Sequence, residues 1–214
     1  MTLKAVGAVV AVAAVVAGAA LVWRFGYFAV PFTWTREPER LAAALGLTPG
    51  MTVADVGAGD GALAVAMAAV VGAAGRVHAT ELSAERRDAI ARRIAVSGIQ
   101  NVVVVAAAEA QTGLPDRCCD ALYLRTVFHH VPDRAAFAAA LTRVVRPGGR
   151  IAVIDFAPGT LWFHGADHGV AADAVTAAFA RAGWVVCHGD DAWGGGMFLR
   201  VFARPGVVAS GQCA

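Results

Sequence analysis

The run Val53-Ala-Asp-Val-Gly-Ala-Gly-Asp-Gly61 restricts the fold more than any other part of the chain. Thr52 to Val56 is short and mostly apolar, and it follows the turn Leu47-Thr-Pro-Gly50, as a buried strand does. Gly57, Gly59 and Gly61 come next at alternate positions, and Gly61 to Val71 reads as a helix. Glycines let a backbone turn sharply and let a ligand approach the main chain. Two other glycine loops do not fit. A dinucleotide loop of the G-x-G-x-x-G kind has a wider last spacing, and a Walker A loop needs Gly-Lys-Ser/Thr. Lys4 is the only lysine among 18 basic residues.

The strand–turn–helix pattern repeats down the chain. A helix is expected over Glu37–Leu45, then strands at Arg76–Thr80, Asn101–Ala106, Cys119–Leu124 and Arg150–Asp155. Helices are expected over Ser83–Val96 with Ser83 as N-cap, Asp133–Val145 with Asp133 as N-cap, and Val170–Ala182. Trp184–His188 and Phe198–Ala203 close the chain as a hairpin through Gly189 to Gly196. Alternating strands and helices predict an α/β fold, a parallel sheet with helices on both faces, with one antiparallel strand from the hairpin.

Composition places the chain outside several classes. A hydrophobic fraction of 58% excludes disorder. Ala5 to Trp23 is the one stretch long and uncharged enough to span a bilayer, so a polytopic membrane protein is excluded as well. As a helix this stretch would reach about 28 Å. Trp23, Phe25, Tyr27, Phe28, Phe32 and Trp34 crowd its C-terminal end, where amphipathic rings meet headgroups. Residues 1–23 are therefore expected to be a single-pass anchor, and 24–36 a juxtamembrane linker. A cleaved signal peptide is the alternative. Arg24, Arg36 and Arg40 follow the segment, so the rest of the chain is expected on the cytoplasmic side. Residues 25–214 hold 16 arginines against 16 acids, so no basic stripe exists for a nucleic acid. Cys118, Cys119, Cys187 and Cys213 show no CxxC spacing, which argues against a disulfide framework or a zinc site. His164, Asp167 and His168 read as ordinary loop residues, and no metal is expected.

Glu81 ends the second strand, 20 residues after Gly61. An acid at that tip can accept both hydroxyls of a ribose. The five segments Asp55 to Gly61, Glu81, Glu109…Leu114-Pro115, Asp120 and Arg146-Pro-Gly-Gly-Arg150 together resemble class I S-adenosylmethionine-dependent methyltransferases. Within that class the chain is similar to the methyltransferase type 11 and quinone-methyltransferase-like group. The resemblance covers about 37–204, leaving 205–214 as a tail. It implies a seven-stranded sheet of order 3-2-1-4-5-7-6 with strand 7 antiparallel, and S-adenosyl-L-methionine as cofactor.

Roles follow from the resemblance, position by position. Gly57, Ala58 and Gly59 would pass under the methionine part of the cofactor. Asp55 would hold its amino group, Glu81 the ribose hydroxyls, and Leu82 would pack on adenine. Relatives often bond the adenine amine with an Asp where this chain has Ala107, so Ala108 and Glu109 are the residues left to serve it. Arg125 would lie near the methionine carboxylate. His129 and His130 are the catalytic candidates, because imidazole titrates near neutrality and can accept a proton. The expected reaction is methyl transfer to a small, hydrophobic, lipid-like or quinone-like acceptor at a membrane. Two other readings stay open: a non-catalytic binding module of the same fold, and a nicotinamide-dependent reductase.

Overall fold

The computed structural model describes residues 36–109, 111–160 and 169–209. The expected anchor and most of the linker lie outside these residues. Among the described residues no helix is long and apolar enough to cross a membrane. The described residues from Glu37 onward form one compact unit.

The elements run α1 Glu37–Leu45, β1 Thr52–Val56, α2 Ala62–Val71, β2 Arg76–Glu81, α3 Ala84–Ser97, β3 Val102–Ala106 and β4 Cys119–Arg125. A 3-10 turn at Phe128–His130 follows, then α4 Arg134–Val144, β5 Val145–Phe156, α5 Ala172–Arg181, β6 Val185–Gly194, β7 Met197–Ala203 and the short α6 Pro205–Ala209. The sheet order is β3-β2-β1-β4-β5-β7-β6. β1 to β5 are parallel to one another, and β7 runs antiparallel to both β5 and β6. The expected sheet order is therefore the observed one.

Two boundaries differ from expectation by more than two residues. β5 begins at Val145, ahead of the expected Arg150, because Val145 pairs with Cys119 before a register shift takes up the Pro147-Gly148-Gly149 bend. β6 runs on to Gly194, which pairs with Met197, so the hairpin turn shrinks to Gly195-Gly196. Gly196 requires its residue type: φ is +75°, and a Cβ there would run into Thr160.

The central strands alternate between two cores. Val53, Val77, Tyr123, Ile154 and Leu199 share one core with Leu41, Met67 and Ile90 from α1, α2 and α3. Ala54, Val56, Leu122 and Leu124 face the other, with Leu141 of α4 and Phe179 of α5. Burial on both faces explains why the central strands read as near-continuous apolar runs. Phe179 stacks on Phe202 at 4.3 Å between centroids and on Phe128 at 5.8 Å. Fully burying a side chain of this size contributes about 1.5–3 kcal/mol. Here that burial also pins the turn that carries both histidines. The two expected caps form: Ser83 accepts from Arg86 N, and Asp133 from Ala136 N.

Candidate active site

The strand order reverses direction between β1 and β4, and ligands of open α/β sheets bind at such a point, beyond the carboxyl ends of the strands. Asp55, Glu81, Arg125 and Asp155 all lie at or near those ends.

The glycine loop is held by its own backbone. Gly57 N and Ala58 N donate to Thr80 O at 3.0 and 2.9 Å. Gly57 has φ +78°, and a Cβ there would sit 2.6 Å from Val127 Cγ2. Gly59 has φ +59° with open space where a Cβ would be, so a ligand can reach the main chain at that point. Gly59 N donates to Glu81 Oε2 at 3.0 Å, and Ser83 N to Glu81 Oε1 at 3.1 Å. Each carboxylate oxygen of Glu81 is thus fixed by one amide and keeps lone-pair capacity for a further donor. Leu82 beside it is 55% exposed, an apolar surface that lacks cover. Ala107 N bonds to Glu81 O, bringing Ala108 and Glu109 to the same edge, where both are exposed.

Asp55 is 2% exposed and sits in direct register with Tyr123 of β4, which is fully buried. Asp55 Oδ2 and Tyr123 Oη have no hydrogen-bond partner of good geometry among the described residues. They lie near enough that the hydroxyl favours the charged carboxyl. Burial outweighs this and the Arg125 charge, and raises the Asp55 pKa to about 7; Glu81 and Asp60 push the same way. Burial, then Asp55, push the Tyr123 hydroxyl well above its ordinary value. A buried carboxyl with an unfilled acceptor calls for a hydrogen-bond donor.

Arg125 does not stand alone at the end of β4. Its Nε bonds to Glu37 Oε1 at 3.0 Å and Oε2 at 3.1 Å. Glu37 is buried and also accepts from Trp193 Nε1 at 2.9 Å. Arg40 lies 3.9 Å over the Trp193 ring, donates to Trp193 O and pairs with Asp190. The first turn of α1 is thereby fastened to β4 and to the β6–β7 hairpin. Thr126 follows with φ +55°, rare for a β-branched residue and a mark of a constrained site.

The two histidines divide. His129 has a buried ring whose Nδ1 lies 2.6 Å from Asp155 Oδ1, and its backbone N donates to Asp155 Oδ2. Phe156 N also donates to Asp155 Oδ1, at 2.8 Å. His130 is exposed, with its ring 3.9 Å from that of His129. The described residues contain no group of three or more His, Cys, Asp or Glu suited to a metal. His164, Asp167 and His168 lie outside them. Sequence reasoning did not single out Glu37, Tyr123, Trp193 or Asp155. Only Asp155 carried a signal, as an acid at a parallel strand's tip.

Comparison with known proteins agrees with this geometry. A family model described as a methyltransferase domain matches residues 54–153. The chain is 35% identical over 123 residues to the 27-O-demethylrifamycin SV methyltransferase of Amycolatopsis mediterranei, covering 57% of this chain and 44% of that protein. It is 29% identical over 130 residues to the ubiquinone/menaquinone biosynthesis C-methyltransferase UbiE of Shewanella frigidimarina, covering 60% and 51%. It therefore spans about half the length of these relatives. A crystal structure of an S-adenosylmethionine-dependent methyltransferase from Aquifex aeolicus superposes with a TM-score of 0.67 at 27% identity, covering 78% of this chain and 90% of that one. Residues 54–153 thus match a methyltransferase domain, and the described fold is that of S-adenosylmethionine-dependent methyltransferases. The unfilled Asp55 acceptor, the open face of Gly59 and the fixed Glu81 carboxylate fit the cofactor of that class.

Proposed function

We propose that this chain transfers a methyl group from S-adenosylmethionine to a small hydrophobic acceptor, quinone-like or lipid-like, with residues 5–23 holding the domain at a membrane and the domain on the cytoplasmic side. The Glu81 carboxylate carries the reading. It is fixed by Gly59 N and Ser83 N between the open glycine loop and the exposed Leu82. S-adenosylmethionine, when bound, supplies a methyl group activated by a sulfonium.

The chain's residues then have separate tasks. Asp55 receives the cofactor's ammonium, and Glu81 the ribose hydroxyls. Leu82 covers adenine, with Glu109 or a backbone group at its edge. Gly57, Ala58 and Gly59 supply the surface beneath the methionine part. Arg125, clamped by Glu37, presents positive charge at the end of β4. Asp155 orients His129, which positions the Phe128–His130 turn. His130, being exposed, is the group available to accept a proton from the acceptor. Methyl transfer needs mainly alignment of nucleophile, methyl and leaving sulfur, so this proton acceptance is a secondary contribution.

The quinone-like acceptor class is supported by the likeness to UbiE and by the apolar segment with its aromatic collar. The test is incubation of membranes bearing the full-length chain with methyl-labelled S-adenosylmethionine and a lipid extract. Label in the organic phase that depends on Glu81 supports the proposal. Cofactor binding with no labelled product, in extracts that do serve a known quinone methyltransferase, favours the non-catalytic module.

A further inference from the structure

At the opposite edge of the sheet, two sulfurs meet. Successive side chains on a regular strand point to opposite faces, so neighbouring cysteines normally diverge. Here Cys118 Sγ and Cys119 Sγ are 2.7 Å apart. A disulfide bond is about 2.05 Å. The backbone explains the approach. Arg117 is left-handed with φ +53°, Cys118 precedes β4, and the register against β5 shifts between Cys119 and Ala121. The intervening Asp120 is held by Thr52 N and Arg146 Nη1, each at 2.7 Å, so the irregular start of β4 is fixed.

The two thiols differ in access. Cys119 is fully buried, in the core beneath α4. Cys118 is half-buried and lines an open cavity of about 880 Å³, together with Arg76, His78 and Arg146. Burial, and then the neighbouring thiol, push the Cys119 thiol far up, while the Arg146 charge opposes this. The reachable sulfur is therefore the one that meets an oxidant from solvent, and the buried one lies in contact behind it to resolve it.

We propose that Cys118 and Cys119 form a peroxide-reactive thiol site that closes to a vicinal disulfide. Cys118 thiolate attacks one peroxide oxygen. An S–O bond forms, the O–O bond breaks, and the leaving hydroxide takes a proton to become water. The Cys119 sulfur then attacks the Cys118 sulfur. The S–S bond forms, the S–O bond breaks, and a second water leaves with the Cys119 proton. Two thiols lose two electrons, and hydrogen peroxide becomes two waters. The sulfurs need close by only about 0.6 Å to reach bonding distance. The site is separate from the methyl-transfer reading and stands without it.

Trypsin cuts after Arg117 and Arg125, so both cysteines fall in one peptide, residues 118–125, with no other cysteine. The full-length protein is treated with hydrogen peroxide, alkylated without reductant and mapped by mass spectrometry. That peptide should lose two hydrogens, resist alkylation at least tenfold, and recover with dithiothreitol. Cys119→Ala should leave a Cys118 sulfenic acid that dimedone captures. Because Cys119 is buried, Cys118→Ser is the second variant; it lines the cavity, and its Cys119 should stay reduced. Overoxidation of Cys118 to sulfinic acid in the unsubstituted protein, oxidation of Cys119 in Cys118→Ser, or only intermolecular disulfides would each overturn the proposal.

Discussion

Asp55 gives the sharpest test of the site's electrostatics. Its pKa stands at about 7 in the fold against an ordinary 3.8, chiefly because burial penalises the charge. The folded state therefore holds this proton more tightly than the unfolded chain does. The stabilisation is complete below about pH 4 and is lost as pH rises to about 7. A shift of about three units corresponds to about 4 kcal/mol. Asp55→Asn keeps the shape of the protonated acid and removes the titration. Without ligand, the variant should gain about 4 kcal/mol on the unsubstituted protein between pH 4 and pH 8. Urea unfolding at pH 4.5, 6 and 8 measures the difference, which cancels the other titrating groups the two proteins share. Saturating S-adenosylmethionine at pH 8 should return the order toward the unsubstituted protein, because only the aspartate can pair with the cofactor's ammonium. A stability difference that stays constant from pH 4.5 to 8 would refute the reasoning. So would an Asn variant that binds the cofactor as tightly as Asp.

Other substitutions probe the supporting structure. Glu37→Gln should cost about 3 kcal/mol in urea unfolding, because it leaves Arg125 without its buried carboxylate partner. Gly57→Ala places a methyl 2.6 Å from Val127 Cγ2 at φ +78° and should destabilise by about 1–3 kcal/mol. Val127→Ala in the same chain should recover part of that loss, as a double-mutant cycle would show. Asp155→Asn should slow methyl transfer with little change in cofactor affinity, since Asp155 holds the Phe128–His130 turn rather than the glycine loop; separate kcat and KM values check this.

The features legible in the sequence were those that depend on local order. Burial on both faces made β1, β2 and β4 apolar enough to recognise, and Ser83 and Asp133 announced their helices. Gly57, Gly59 and Gly61 were legible because left-handed backbone in a row of three leaves little choice of residue. Contacts between distant segments were not. Glu37 reads as an ordinary first-turn acid, yet it receives Arg125 from 88 positions away and Trp193 from 156. Tyr123 reads as a core aromatic, and its position opposite Asp55 depends on strand register, which no local pattern fixes. The same holds for the bulge that turns Cys118 onto Cys119. The separate fates of His129 and His130, one ring buried against Asp155 and one exposed, arise from a single 3-10 turn that periodicity does not reveal.

Calorimetric titration of the full-length protein with S-adenosylmethionine, beside its Glu81→Ala variant, tests the central claim most directly. The account predicts micromolar binding that weakens tenfold or more in the variant, the loss expected when two ribose hydroxyls forfeit a fixed carboxylate. A folded protein that takes up no S-adenosylmethionine, or a variant that binds it as well as the original, would contradict the account.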